Sequence, residues 1–181
     1  MNKLTLALAV GVLALSAPMT PAFATIETAE AKSEASEAAA IARDDMILAF
    51  GEATLKTGQY RWRNVASTAS PRLVISLSDQ LGYLYRGDTL VAVTTISSGT
   101  AKNPTPTGIF PILDKKPLHR SRKYDNAPMP FMQLLDSYGI ALHAGVNPGY
   151  PASHGCIRLP AKFAAKLYSV TRLGSEVLIG A

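Results

Sequence analysis

Sixteen residues, HAGVNPGYPASHGCIR, run from His143 to Arg158 and hold two of the chain's three histidines and its single cysteine, Cys156. At neutral pH an unperturbed thiol is only a few per cent thiolate, so a nucleophilic Cys156 needs a base or an electropositive neighbour. Two bases lie close in sequence. His154 shares a face with Cys156 if the backbone is extended, and is separated from it if Gly155 turns. His143 ends an apolar run, GIALH, and a Gly/Pro-rich loop returns the chain, so a strand end would hold its imidazole against a thiol delivered by that loop. Gly155 lacks a Cβ, which permits a tight turn and close approach of a substrate. The amides of Gly155 and Cys156 would then point at one developing oxyanion. Each residue also has a plainer reading: free cysteine is often buried and inert, and either histidine can be satisfied within its own element.

The same side chains raise the question of zinc, with His119 as a fourth ligand. The spacing H-x10-H-x-C fits no zinc signature, and neither a Cys pair nor an HExxH helix is present. No metal and no cofactor are expected.

The amino terminus sets the compartment. Lys3 precedes LTLALAVGVLALSA, which is too short to span a bilayer comfortably. PMTPAFAT follows, with Ala22-Phe23-Ala24 in the small-x-small form of a cleavage site, so residues 1–24 are expected to be a signal peptide. No cysteine stands at that point to carry a lipid, and no stable membrane anchor is expected after cleavage. The expected location is outside the cytoplasm, in the periplasm or cell wall. An exported odd thiol has no partner within its own chain, so Cys156 is either buried or kept for reactivity.

Charge is uneven. Residues 25–70 carry seven acidic and five basic side chains, whereas residues 71–181 carry six and twelve. The basic part suits an anionic partner such as a wall polymer or a carboxylate-bearing peptide. Nucleic acid is not expected, since no aromatic-studded basic motif is present.

The elements that must position the thiol follow from pattern. Residues 25–57 begin with TIETAEAKSEASEAAA, too poor in large apolar groups to order by burial, and read as an Ala/Glu-rich spacer with room for one short helix from Ile41 to Leu55. From Leu73 the runs RLVISLS, LGYLYR and TLVAVTTIS read as an antiparallel meander broken at Asp79-Gln80 and Gly87-Asp88. GIFPIL, GIALH and EVLI add strands. Residues 114–130, DKKPLHRSRKYDNAPMP, read as a long basic loop. Pro160 to Leu173 reads as one amphipathic helix, with Phe163, Leu167 and Val170 on its apolar stripe and Gly174 at its end. The fold class is a mainly β domain, residues 58–181, with a C-terminal helix packed on it.

The His143–Arg158 string resembles the active-site signature of the L,D-transpeptidases, an upstream His followed by Ser/Thr-His-Gly-Cys and an apolar residue. GQYRW at 58–62, the meander, TPTG at 105–108, NAPMP at 126–130 and the final helix extend the resemblance over residues 58–181. It implies a compact, sandwich-like β domain that acts on peptidoglycan stem peptides. Cys156 would be acylated at the third stem residue with release of the terminal D-amino acid, and His143 would manage the protons. The amine of another stem would then resolve the thioester as a 3→3 cross-link. The resemblance further implies that the carbonyl of Ala144 orients His143, that Ser153 and His154 shape the pocket, and that carbapenem-type β-lactams acylate Cys156. Arg158 is a candidate for a stem carboxylate or for bracing the loop, and Tyr124 with segment 114–130 for a lid. The interval from His143 to His154 is shorter than in the better-known members, which alters the rim of the cleft. Two other functions compete: water resolving the thioester, giving a wall carboxypeptidase or endopeptidase, and a non-catalytic wall-binding module.

Overall fold

The structure, a computed structural model, describes residues 25–181, so the expected signal peptide lies outside the described residues. In chain order the elements are α1 (Ala29–Phe50), β1 (Tyr60–Trp62), β2 (Pro71–Ser76), β3 (Leu81–Arg86), β4 (Thr89–Thr95), β5 (Gly108–Pro111), β6 (Asp114–Lys116), β7 (Met132–Leu134), β8 (Ala141–Ala144), β9 (Ile157–Leu159), α2 (Ala161–Val170) and β10 (Glu176–Gly180). Ten strands form two sheets, ordered β1-β4-β3-β2-β10-β5 and β6-β7-β8-β9. The expected meander is β2-β3-β4, turned at Gln80 (φ 52°) and Gly87 (φ 57°). Parallel pairing occurs at β2·β10 and β8·β9.

The main core lies between the sheets. Leu73, Ile75, Leu84 and Ala92 from the larger sheet meet Leu142, Ala144, Ile157 and Leu159 from the smaller, with Phe163 and Leu167 of α2 completing the cluster. The Phe163 ring stands edge-on to Tyr60 and Trp62 at 5.8 and 5.7 Å, which ties β1 to α2. Pro160 precedes α2, as its missing N–H allows. The helix stops at Thr171 instead of reaching Leu173: Thr171 is already extended, and its amide closes the last turn on Leu167 O.

Residues 25–57 are more ordered than a spacer with one short helix from Ile41 to Leu55. Ala29–Phe50 within them form a 22-residue helix, capped by Thr28 Oγ1 on Ala31 N–H at 3.2 Å and ended by Gly51 at φ 69°. Its buried residues, Ala31, Ala35, Ala39, Ala42 and Met46, recur every three or four positions and lie on the outer face of the larger sheet, against Val74, Tyr83, Tyr85 and Leu178. The stripe holds small residues because the backbones touch: a Cβ on Gly180 would stand 2.5 Å from Ala35 O. That sheet is therefore buried on both faces, which explains why β2 to β4 read as near-continuous apolar runs.

Segment 114–130 is likewise not a long loop. It opens with β6, paired antiparallel to β7, and the pairing continues beyond the strands through Phe131 N–H to Pro117 O, Met129 N–H to His119 O and Ser121 N–H to Ala127 O. The result is a hairpin flap with Tyr124 near its tip. Lys115 at its base is not a solvated cation. Its Nζ donates to Tyr168 O at 2.7 Å and to Thr171 O at 2.5 Å, and lies 4.4 Å from the Tyr168 ring centre, closing the C-terminal end of α2. Burial lowers its pKa from the ordinary lysine value. Lys115→Met is expected to cost about 1–3 kcal/mol, from charged hydrogen bonds and helix-end charge, measured by urea denaturation.

Candidate active site

Strands β8 and β9 run parallel with Leu142, His143 and Ala144 opposite Ile157, Arg158 and Leu159. Side chains alternate along strands, so Leu142, Ala144, Ile157 and Leu159 enter the core while Ala141, His143 and Arg158 face the other way. Cys156, one residue before β9, belongs to that second face, where it packs beside Met129, Met132, Leu134 and Ala141. Cys156 and His143 are thus diagonal neighbours on one face.

Each is held by a backbone carbonyl. His143 is buried, and its Nδ1 lies 2.8 Å from Ala144 O; donation there fixes the proton on Nδ1 and leaves Nε2 as the free lone pair. Burial holds the His143 pKa below the ordinary value; the bond to Ala144 O opposes this, and the charges of Arg158 and His119 add to it. Cys156 is half-buried, and Sγ donates to Gly139 O at 3.5 Å. Burial pushes its pKa up, the Ala141 backbone opposes, Asp136 adds to the rise and Arg158 opposes it. Both shifts favour the neutral thiol and neutral imidazole over the ion pair, so proton transfer must accompany attack by sulfur.

The turn before Cys156 is built by hydroxyls. Ser153 is buried; its Oγ donates to Cys156 O and accepts Gly155 N–H at 3.1 Å. This corrects the expectation of two free amides at the oxyanion position: the Gly155 N–H is already engaged, and the Cys156 amide is the remaining candidate donor. Gly155 has φ 113°, and a Cβ there would stand 2.7 Å from Ile140 Cδ1. Thr105 Oγ1 accepts Gly99 N–H and donates to Gly155 O, both at 2.8 Å. Ser98 O accepts the amides of Ala152 and Ser153 at 3.0 Å, and Ser98 is gripped by Gln80 through its amide at 3.0 Å and its hydroxyl at 2.7 Å.

The Gly155 turn sends His154 outward. It is exposed and stacks on Tyr124 of the flap, ring centres 4.4 Å apart at 22°. Arg158 lies along Gly145, where a Cβ would stand 3.1 Å from Arg158 Cγ, and has no carboxylate within 4.0 Å among the described residues. Two surface hollows, of about 170 and 300 Å³, are lined partly by α1 and contain neither His143 nor Cys156. They belong to the seams of helix packing. No group of three or more His, Cys, Asp or Glu poised for a metal occurs among the described residues.

Sequence reasoning missed Asp136, Ser97, Ser98, Gln80 and the latch role of Thr105. Asp136 Oδ1 accepts Tyr138 N–H at 2.9 Å and Ile140 N–H at 2.8 Å, shaping the loop that meets Cys156. Ser97 pairs with Arg158 through both backbone groups and donates its Oγ to Tyr150 O at 2.7 Å. The signal available for Asp136 was its place just before a Gly-containing turn and a strand, where Asp accepts nearby amides.

With this geometry in place, the comparisons decide the class. The family profile for the YkuD L,D-transpeptidase catalytic domain matches residues 70–179, and the chain belongs to that family. Among solved structures, an L,D-transpeptidase from Mycobacterium smegmatis is 22% identical with a TM-score of 0.58, over 62% of this chain and 59% of that one. The L,D-transpeptidase from Xylanimonas cellulosilytica is 26% identical with a TM-score of 0.55, over 64% and 62%. L,D-transpeptidase 3 from Mycobacterium tuberculosis, in complex with a faropenem-derived adduct, is 19% identical with a TM-score of 0.56, over 62% and 60%. The chain thus spans about three fifths of the structures it matches. No curated protein matches it.

Proposed function

We propose that this protein is an exported L,D-transpeptidase that forms 3→3 cross-links in peptidoglycan through a thioester on Cys156. The observation that carries this is the pairing of the only cysteine with His143 on one face of β8 and β9, the imidazole fixed by Ala144 O with Nε2 free. In the first half-reaction the thiol proton moves to Nε2 as sulfur bonds to the carbonyl carbon between the third stem residue and the terminal D-amino acid. The C=O electron pair shifts onto oxygen, where the Cys156 amide donates. Collapse breaks the C–N bond, the leaving amine takes the proton from Nε2, and a thioester remains. In the second half-reaction the side-chain amine of another stem attacks the thioester, gives a proton to Nε2, and expels sulfur, which recovers that proton.

Ser153 holds the turn, and Tyr124, stacked on His154, makes the flap a lid over the stem. Arg158, with no protein carboxylate beside it, takes a stem carboxylate. Export rests on residues 1–24, whose apolar run and Ala-x-Ala end fit a signal peptide. The fold shared with a protein that carries a faropenem-derived adduct supports reaction of Cys156 with carbapenem-type β-lactams.

Purified protein lacking residues 1–24, incubated with a disaccharide-tetrapeptide, tests the reading through its products. Cross-linked dimers with loss of one D-amino acid are expected. Tripeptide alone would assign hydrolysis, and unchanged substrate would leave a wall-binding module.

A further inference from the structure

The loop between β7 and β8 does more than connect them. Asp136 is 4% exposed, and its two accepted amide bonds fold Asp136–Ile140 into a tight turn with Gly139 at φ 97°. The turn touches the thiol turn twice. Gly139 O receives the Cys156 S–H at 3.5 Å, and Ile140 Cδ1 closes on Gly155, where even a methyl group would stand 2.7 Å away. The thiol's hydrogen bond thus goes to a carbonyl, while His143 is held by a different one.

We propose that Asp136 is a positioning residue: it folds the turn that parks the thiol on the Gly139 carbonyl, and its carboxylate helps to hold the S–H there until a bound stem displaces that bond. The S–H then turns to His143 Nε2, the proton passes to the ring, and the sulfur electron pair goes to the substrate carbonyl carbon. This rests on the nucleophile role proposed for Cys156. Besides the pair itself, the charged and titratable groups whose fields reach it are Asp136 from this loop, Arg158 from β9 and His119 from the flap. Asp136 is the one carboxylate among them, and its effect on the thiol opposes that of Arg158. A parked, protonated thiol resists oxidation and stray acylation, which suits a reactive cysteine with no disulfide partner in its own chain.

Because the chain has one cysteine, alkylation by uncharged iodoacetamide reads Cys156 alone. Asp136→Asn keeps an oxygen acceptor for both amides and removes the charge. Its alkylation midpoint is expected about half to one pH unit below that of the wild type, which is about three- to tenfold more thiolate at a pH well below the midpoint. Asp136→Ser, with a smaller neutral acceptor, is expected to move the midpoint in the same direction. Thermal melts report the fold of each variant. An unchanged midpoint in a folded Asp136→Asn would overturn the proposal. So would loss of the fold in both variants, because Asp136 would then be structural only. Alkylation uses no wall substrate, so this result stands apart from the tetrapeptide assay, whose failure would instead remove the transpeptidase reading.

Discussion

Replacing His143 with Gln is expected to slow acylation by a disaccharide-tetrapeptide about 10²- to 10⁴-fold, the usual contribution of a positioned general base. The loss is large because the resting sulfur is a thiol whose pKa lies above the ordinary cysteine value, so little thiolate exists at neutral pH to react without a base. The pH profile carries the same argument. Acylation requires a neutral imidazole, so kcat/KM rises with pH through the His143 pKa, which burial holds below the ordinary histidine value of about 6.5. The acid limb should therefore have its midpoint below 6.5. In His143→Gln that limb should vanish, leaving a slow rate that climbs only as the thiol ionises, above the ordinary cysteine value of about 8.5. Stopped-flow acylation between pH 4 and 10, roughly the range from carboxylate to amine titration, checks both. A variant that keeps its rate, or a wild-type limb centred above 6.5, contradicts the role given to His143.

Deleting residues 25–57 is expected to unfold the domain or leave it aggregated. The deletion uncovers Val74, Tyr83, Tyr85 and Leu178, and large apolar side chains each contribute about 1.5–3 kcal/mol on burial. Losing much of four such terms approaches the 5–15 kcal/mol that holds a typical domain together. It also frees the Tyr85 hydroxyl, which donates to Asp45 Oδ2 at 2.7 Å and whose pKa burial and that carboxylate push far above the ordinary tyrosine value. Circular dichroism of the truncated chain should show no cooperative melt. A truncated chain that melts within a few degrees of the full one would restore the spacer reading.

The contrast between these two regions shows what sequence patterns carry. Strands β2, β3, β4, β8 and β10 were legible because branched and aromatic residues concentrate there and turn residues bound them. The face shared by His143 and Cys156 was legible in outline, since GIALH ends on the histidine and a short Gly/Pro-rich loop returns the chain. Helix α1 was legible only in its second half, where Met46, Ile47 and Phe50 gave the expected short helix; its first half was not, because the buried stripe there is alanine, which hydrophobicity reads as weak, and its packing depends on close backbone approach at Gly180, far along the chain. The flap was misread for a related reason. Its basic, Pro-containing run reads as a loop, and nothing local reveals that Lys115 finds the end of α2 some fifty residues later. The Gly155 amide was assigned to an oxyanion from its glycine alone, and the competing acceptor, Ser153 Oγ, sat two residues away. Side-chain hydroxyls that bond nearby backbone decide such turns, and only the folded loop shows which amide they take.

The most direct measurement is intact-protein and peptide mass spectrometry of the wild type and of Cys156→Ala after mixing with the tetrapeptide donor, and separately with a carbapenem. The wild type should carry one covalent adduct per chain, on the peptide containing Cys156, and Cys156→Ala should remain folded and carry none. An adduct that persists in Cys156→Ala, or a folded wild type that forms none with either reagent, would contradict a thioester at this residue.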